Sequence, residues 1–348
     1  MEKLESLPNV TRISEHVVRV LGQNPGKFTL QGTNTYIIGK QNPYILIDTA
    51  EGREEYIPVL ESAFREIAKC TNTSEPDVSD IIISHWHHDH VCGLPTVLSL
   101  LRRLWEERNP SLLYKPPRLH KFPLPSNAQD EDTSSHNKIP SLVNSLPKDS
   151  YTPSPDGSPF HDLSDDQILT AESSPTSTLR VLHTPGHTTD SICLHIPQDR
   201  ALFTADTVLG QGTAVFEDLS TYLASLNKML QFGSDSKSPY VSLYPGHGPV
   251  VTNGRELIAT YIKHRLDREA QVVQVLQSPV PSGQTNWTTW LIVKILYSAY
   301  PESLWLPAAH GINLHLKKLE GDGVVRCLGG EGTEMSWKLT SRRSSPSL

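Results

Sequence analysis

Four apolar, strand-like runs in this chain of 348 residues each end in residues that commonly bind metal ions. The runs are Ile81–Ile83, Leu179–Leu182, Ala201–Ala205 and Tyr240–Tyr244, and His or Asp follows each of them within a few positions. Short apolar runs bounded by turn residues favour buried strands. Because the polar groups beyond strand ends gather at one edge of a sheet, the repetition predicts an α/β domain with a ligand cluster at that edge.

The first of these strand ends carries the densest set of candidate ligands. The segment HWHHDH, residues 85–90, follows the run Ile81–Ile83 after a single serine. Divalent ions such as zinc take imidazole and carboxylate ligands, and alternate histidines in a turn can reach the same ion. The segment therefore predicts a metal site rather than a solvated polar loop.

Spacing along the chain predicts two metal positions. His85 and His87 would hold one ion with His187, whereas Asp89 and His90 would hold the second with His247, and Asp206 would bridge the two. The full predicted ligand set is His85, His87, Asp89, His90, His187, Asp206 and His247. Two ions roughly 3.5–4 Å apart form a centre that activates water for hydrolysis.

Other residues near these strand ends have more than one interpretation. Cys92 could approach a metal, although a small buried cysteine is the commoner case. His183 is predicted to pack or to support a ligand, and His88 to face solvent or the pocket. Asp48 is expected to hold a ligating histidine through its free ring N–H, with helix capping as the alternative. His310 is expected to be an ordinary helix residue unless the C-terminal part folds over the metals.

Composition narrows the class of protein. A net charge of −7 counts against a general polyanion binder. Four cysteines without CxxC spacing favour reduced thiols, and no apolar run approaches the length needed to span a membrane. The N-terminus has neither an apolar signal core nor an Arg-rich presequence. The expectation is a soluble cytoplasmic protein with no membrane association.

The chain divides into regions of different character. Residues 11–251 are predicted to form the catalytic domain, with an acidic, mostly disordered insertion at about 120–178, where nine Asp or Glu accompany three Lys and eight Pro. The alternative for this insertion is a long ordered lid over the pocket. Residues 252–340 contain two helical patterns and then two short strands, which predicts a small helical module similar to a winged helix. Residues 341–348 are predicted to be a disordered tail.

The metal-binding motifs resemble those of the metallo-β-lactamase superfamily. The resemblance rests on HxHxDH at 85–90, TPGHT around His187, Asp206 after its strand and PGHGP around His247. It implies an αββα sandwich with the metals at one edge. Segments 24–36, 210–219 and 314–319 extend the resemblance to the lactamase-β-like group. That group includes an animal mitochondrial endoribonuclease and fungal thioesterases that release polyketides such as atrochrysone carboxylic acid from an acyl carrier protein.

This resemblance implies a hydrolase that uses a metal-bound hydroxide. Two Zn²⁺ ions are expected, with Mn²⁺ as another possibility, and Asp89 would be both a ligand and the catalytic acid or base. The first hypothesis is a thioesterase of secondary-metabolite biosynthesis whose partner is the acyl carrier protein domain of a polyketide synthase. The alternative is an endoribonuclease acting on single-stranded RNA. A small-thioester hydrolase and a non-enzymatic scaffold are further hypotheses.

Cationic residues leave the choice between these substrates open. Arg255, Lys263, His264, Arg265 and Arg268 recur at helical spacing. Such a surface could contact RNA phosphates, a phosphopantetheine arm or an acidic carrier protein. The acidity of the whole chain and the lack of a basic run with interleaved aromatic residues weigh against RNA.

Overall fold

Two β-sheets pack face to face in the computed structural model, which describes residues 4–124, 137–172, 177–235 and 239–340. The first sheet has seven strands in sequence order: β1 (Val10–Arg12), β2 (Val17–Leu21), β3 (Asn34–Ile38), β4 (Tyr44–Ile47), β5 (Val78–Ile83), β6 (Arg118–Lys121) and β7 (Phe160–Asp162). The second runs in the order β12-β11-β10-β9-β8, with β8 (Ile168–Thr170), β9 (Thr178–His183), β10 (Ile192–Ile196), β11 (Ala201–Ala205) and β12 (Ser242–Pro245). Strands β4 to β7 are parallel, as are β11 and β12, so their carboxyl ends point in common directions.

Helices cover the outer faces of the two sheets and form most of the C-terminal region. They are α1 (Tyr56–Ser62, followed by a π-helical turn, Ala63–Ile67), α2 (His88–Val91), α3 (Leu94–Arg108), α4 (Ile139–Ser145), α5 (Leu219–Asp235), α6 (Gly254–Gln277), α7 (Thr289–Leu296) and α8 (Trp305–Gly321). Apolar side chains of α1 and α3 pack on the first sheet, and those of α5 and the first half of α6 pack on the second. These layers form the predicted αββα sandwich.

Strand β4 shows why the central strands are apolar at every position. Ile45 and Ile47 belong to the core between the sheets, whereas Tyr44 and Leu46 belong to the core under the helices. Successive side chains of a strand point to opposite faces, and here both faces are covered. Each such side chain stabilises the fold by about 1.5–3 kcal/mol when it is fully buried. The continuous apolar run is therefore a consequence of the layered architecture.

The prediction of disorder across about 120–178 is wrong for the described residues 137–172. These residues contain α4, β7 and β8, of which β7 extends the first sheet and β8 extends the second. Leu163 and Ala171 are buried between the sheets, and Leu142 packs beside α3. A few apolar residues and two backbone ladders thus order a segment whose average composition is polar. Residues 125–136 and 173–176, and the predicted disordered tail 341–348, lie outside the described residues.

The C-terminal region has a core of its own. Helices α7 and α8 pack on a small sheet of order β13-β15-β14, formed by β13 (Trp287–Thr288), β14 (Val325–Gly329) and β15 (Ser336–Leu339). This arrangement of helices and a hairpin agrees with the predicted winged-helix-like module. Helix α6 contributes Ile258 and Tyr261 to the core under the second sheet, and Val272 and Val275 to the module core. The boundary placed between 251 and 252 stays a prediction, because α6 belongs to both cores.

No helix in the described ranges is long and apolar enough to cross a lipid bilayer. The four cysteines, Cys70, Cys92, Cys193 and Cys327, are all free thiols in the structure. This agrees with the absence of a disulfide framework predicted from their spacing.

Replacing Gly186 with alanine is expected to lower the free energy of unfolding by about 3 kcal/mol or more. Gly186 has φ 127° and lies against the backbone of Tyr222, which an added methyl group would strike. Gly157 provides the matched control, because its φ is 85° but nothing lies near its Cβ position. Urea denaturation of the metal-free variants should show a much smaller loss for Gly157→Ala. Equal losses for the two variants would contradict the steric argument.

Candidate metal centre

The seven residues predicted as ligands lie together at one edge of the sandwich. Strand β5 of the first sheet leads into His85 and His87, and the short helix α2 carries Asp89 and His90. The second sheet supplies the remaining three from the loop after β9 and from the ends of β11 and β12, namely His187, Asp206 and His247. The site is therefore assembled from both sheets, and each contribution comes from the end of an apolar strand.

The first group of donors consists of His85, His87, His187 and Asp206. His187 Nε2 lies 3.2 Å from His85 Nε2 and 2.9 Å from His87 Nδ1, and the last two nitrogens are 3.1 Å apart. Asp206 Oδ2 lies 3.7 Å from His187 Nε2. Three imidazole nitrogens and a carboxylate thus converge on one point, as the spacing predicts.

The second group consists of Asp89, His90 and His247. Asp89 Oδ2 lies 3.4 Å from His90 Nε2 and 3.2 Å from His247 Nε2. Asp206 also reaches this group, with Oδ1 3.3 Å from His90 Nε2 and Oδ2 3.2 Å from His247 Nε2. Asp206 therefore lies between the two groups, in the position that a bridging carboxylate requires.

Hydrogen bonds on the far side of four imidazole rings direct their Nε2 atoms into the centre. Each Nδ1 faces an oxygen: Ser84 Oγ at 2.9 Å for His85, Asp48 Oδ2 at 2.7 Å for His90, Val215 O at 2.9 Å for His187 and Gly32 O at 3.3 Å for His247. Carbonyl and carboxylate oxygens only accept, so these Nδ1 atoms carry the proton. Ser84 Oγ donates to Asp48 and therefore also accepts from its histidine. The inward Nε2 atoms can therefore each offer a lone pair to a cation once they carry no proton of their own.

This donor set fits a divalent cation. Lone pairs of neutral imidazoles that face one another repel, and His90 Nε2 and Asp206 Oδ1 are buried without a hydrogen-bond partner among the described residues. Imidazole and carboxylate donors suit Zn²⁺ and also Mn²⁺ or Fe²⁺. A cation held by these atoms would satisfy the donors and bring the rings into attractive contact with it.

The two groups differ in their electrostatic surroundings. Burial, and then the charges of neighbouring histidines, lower the pKa of His85, while burial and His187 lower that of His87 to about 3. Burial alone would lower the pKa of His247, but the Asp206 and Asp89 carboxylates together outweigh it and raise the value to about 9. His90 is likewise raised, because Asp89 and Asp206 outweigh its burial. A cation in the second group must therefore displace protons, as metal binding commonly does.

Asp48 supports the centre from behind, as predicted. Besides accepting from His90, its carboxylate accepts from Ser84 N at 2.7 Å and from Ser84 Oγ at 2.8 Å. Because Ser84 in turn accepts from His85, Asp48 orients one histidine directly and another through a serine. A carboxylate in this position fixes the tautomer and increases the basicity of the ring.

Replacing Asp48 with asparagine is expected to weaken metal binding about 10–100-fold, because the amide orients the two rings less strongly. Competition with a chromogenic chelator would measure the change. Asp77→Asn is the matched control: Asp77 is equally buried, but its partner is Arg108, away from the centre. This control should alter stability without altering metal affinity. An unchanged affinity in Asp48→Asn would contradict the orienting role.

Sequence reasoning did not assign roles to two polar residues that hold the centre together. Thr33 Oγ1 donates to Asp89 Oδ2 at 3.0 Å, and it accepts from Asn24 Nδ2 at 3.0 Å. Asn34 Nδ2 donates to the carbonyls of Pro245 and Gly248 on either side of His247. Their sequence signal is the run of three polar residues, Thr33–Thr35, at the start of an otherwise apolar strand. The strand is completely buried, so these polar side chains need hydrogen-bond partners.

Several residues with alternative interpretations are not ligands in this geometry. Cys92 belongs to neither donor group and is half-buried. His183 stacks on Phe122 with ring centroids 3.8 Å apart, which agrees with the predicted packing role. His88 is exposed at the mouth of the site, as expected. His310 lines a separate cavity between α6 and α8.

A cleft of about 760 Å³ opens over the centre, and five of the seven donors line it, all but His85 and His90. Its walls are mostly apolar, with Phe28 and Trp86 contributing aromatic surface, and Phe28 is 69% exposed. Three cationic side chains, Lys27, Arg53 and Lys138, also line it, and Arg53 is paired there with Glu51 at 3.1 Å. The cleft therefore suits a substrate that combines an apolar part with negative charge.

Comparison with curated proteins gives relatives along nearly the whole chain. The chain is 35% identical over 321 residues to a beta-lactamase-like protein 2 homolog of Drosophila melanogaster, which covers 92% of this chain and 93% of that protein. It is 34% identical over 280 residues to an atrochrysone carboxyl ACP thioesterase of Aspergillus novofumigatus, covering 80% and 69%. A protein of the same description from Claviceps purpurea is 32% identical, covering 93% and 86%.

Solved structures share the fold at low sequence identity. A beta-lactamase domain protein from Burkholderia ambifaria superposes with a TM-score of 0.65 at 18% identity, covering 97% of this chain and 96% of the other. The profile of the beta-lactamase associated winged helix domain matches residues 288–337, which confirms the predicted C-terminal module. The profile of the metallo-beta-lactamase superfamily matches residues 28–247, and the chain is a member of that superfamily of metal-dependent hydrolases.

Proposed function

We propose that this protein is a thioesterase that releases an acyl chain from an acyl carrier protein. The observation that carries the proposal is the mostly apolar cleft, with Phe28 and Trp86 in its walls, directly over the seven-donor centre. Burying an apolar acyl chain against such walls is favourable, whereas burying the polyanionic backbone of RNA there is not. We further propose that the seven donors bind two ions, Zn²⁺ or Mn²⁺.

The residues of the centre account for the chemistry of thioester hydrolysis. Bound divalent ions would supply Lewis acidity to the attacking water and to the carbonyl oxygen. Asp89, oriented by Thr33, accepts the proton of the water as the new C–O bond forms. The C–S bond then breaks, and Asp89 returns the proton to the departing sulfur. The products are a carboxylic acid and a thiol.

Relatives and surface charge support a carrier-bound substrate. Two of the fungal relatives are described as ACP thioesterases. Lys27 and Lys138 on the walls of the cleft provide positive charge that would attract an acidic carrier protein, whereas Arg53 is paired with Glu51 at 3.1 Å. We therefore infer that the partner is the acyl carrier protein of a polyketide synthase.

A second candidate, an endoribonuclease for single-stranded RNA, has one specific observation in its favour. Phe28 is 69% exposed at the cleft, and Lys27 Nζ lies 5.7 Å from the centre of its ring. An exposed aromatic ring beside a cation is the arrangement on which nucleic acid bases stack.

Parallel assays would separate the two candidates. Metal-loaded protein is incubated with an acyl-carrier thioester and with single-stranded RNA, and free thiol and RNA fragments are measured. Thioester turnover that Asp89→Ala abolishes is the expected result. RNA cleavage sensitive to the same substitution, without thioester turnover, would overturn the thioesterase proposal. Added NaCl provides a second criterion, because contacts with several phosphates weaken steeply with salt.

A further inference from the structure

A second cavity lies where the loop containing Thr213–Phe216 meets helices α6 and α8. Its volume is about 220 Å³, and the side chains of Arg265, Arg268, His264, His310 and His315 line it. We call it the arginine cavity. No Asp or Glu is present among the described residues of its lining. The cavity is therefore a concentration of positive charge in a chain whose net charge is −7.

Two buried side chains of the arginine cavity have polar atoms without partners. Arg265 is 9% exposed, and its Nη2 donates to Ala214 O at 2.7 Å while its Nε has no partner in the described structure. His315 is 3% exposed, and its Nδ1 is also without a partner there. A buried polar atom without a hydrogen bond costs about 1–3 kcal/mol. Two such atoms in one cationic cavity indicate a place for a ligand that accepts hydrogen bonds.

Burial and the neighbouring arginines lower the pKa of two histidines of the arginine cavity, His315 and His264. Burial, followed by the charges of Arg265 and Arg268, lowers the pKa of His315 to about 3. The pKa of His264 is lowered by burial and by the same two arginines. A bound anion would offset the repulsion that these shifts report.

Consecutive backbone carbonyls connect the arginine cavity to the metal centre. Ala214 O accepts from Arg265, and the next carbonyl, Val215 O, accepts from His187 Nδ1 at 2.9 Å. A small intervening cavity of about 210 Å³ shares Thr213–Val215 with the arginine cavity and His187 and Asp206 with the centre. A flexible substrate arm could thus reach both places along one loop.

We propose that the arginine cavity binds the phosphodiester of the phosphopantetheine arm that presents the acyl thioester to the metal centre. This inference rests on the proposed thioesterase function. Guanidinium groups match the geometry of phosphate oxygens, and Arg265 and Arg268 both line the cavity. The arm carries a single phosphate and is otherwise neutral, which suits one small bounded cavity. An RNA strand carries a phosphate at every nucleotide and would require a longer cationic track.

Binding to the metal-free, full-length protein tests the inference without catalysis. Isothermal titration with 4′-phosphopantetheine and with pantetheine, which lacks the phosphate, should show at least about 10-fold tighter binding of the former. Arg268→Gln is expected to remove that preference. Arg268 is substituted rather than Arg265 because Arg265 also donates a hydrogen bond to Ala214 O in the loop, so its loss would disturb the loop as well. Lys263→Gln is the matched control, since Lys263 lies on the same helix but outside the cavity, paired with Asp267.

The outcomes separate this inference from the proposed function. Equal binding of the two ligands, or a phosphate preference that survives in Arg268→Gln, would overturn the phosphate site. Binding of a short RNA oligonucleotide that depends on Arg268, without binding of phosphopantetheine, would also overturn it and would favour RNA. Phosphopantetheine binding that depends on Arg268 would support the site even if thioester hydrolysis failed. Only the proposed thioesterase function would be contradicted by that failure.

Discussion

Alanine at position 206 is expected to abolish stable metal binding and to lower hydrolytic activity at least about 10³-fold. Asp206 lies within 3.3 Å of His90 and His247 and within 3.7 Å of His187, so its removal takes a donor from both groups. Loss of a shared carboxylate also leaves a cluster of buried imidazoles with less negative charge to hold cations. Metal content by plasma mass spectrometry and turnover of the acyl-carrier thioester would measure the two effects.

Asp199→Ala is a suitable control for the Asp206 variant. Asp199 lies at the opposite end of β11 and accepts a hydrogen bond from Tyr244 Oη at 2.7 Å. Its loss should affect stability but leave the metal content unchanged. Two equivalents of metal retained by Asp206→Ala would rule out the bridging role of Asp206.

Replacement of Asp89 with asparagine is expected to reduce turnover by about 10²–10⁴-fold, the range typical of a lost general acid or base. The amide preserves the size of the side chain but accepts no proton, so the loss should appear mainly in kcat. Thr33 extends the test because it orients the carboxylate at 3.0 Å. Thr33→Val should lower kcat less than Asp89→Asn does, and Thr33→Ser should restore most of it.

Two further results would complete the test of Asp89. His88→Ala should retain its metal, because His88 is exposed and belongs to neither donor group. An Asp89→Asn protein that keeps both its metal and its kcat would show that Asp89 neither handles the proton nor contributes an essential ligand.

The candidate site was largely predictable because its donors follow strands made mainly of apolar residues. Ile81–Ile83 is apolar throughout, and Ala201–Ala205 is apolar except for Thr204, since both faces of each strand are buried. Strand β5, however, begins at Val78, three residues before the predicted start. Its first half contains Asp80, whose charge argued against a buried strand. The structure accommodates that charge through Arg118 at 2.8 Å and His120 at 2.7 Å, both on the neighbouring strand.

Contacts between distant parts of the chain were beyond sequence reasoning. Thr33 and Asp89 are 56 positions apart, and nothing in either neighbourhood indicates that they meet. The ordered residues 137–172 show that average composition can also predict disorder where the chain is in fact structured. The average composition of this segment is polar. Its order comes from a few residues: Leu163 and Ala171 are buried between the sheets, while β7 pairs with β6 and β8 pairs with β9.

The position of Asp48 has a consequence for how such a centre could evolve. One carboxylate sets the orientation of His90 in the second donor group and, through Ser84, of His85 in the first. The affinities of the two donor groups for cations are therefore linked, since a change at Asp48 alters both groups at once. The cation affinity of one group alone can change only through residues that contact a single group, such as Thr33 beside Asp89. If the protein evolved into an enzyme with one metal ion, we would expect residues such as Thr33 to change first and Asp48 to be retained.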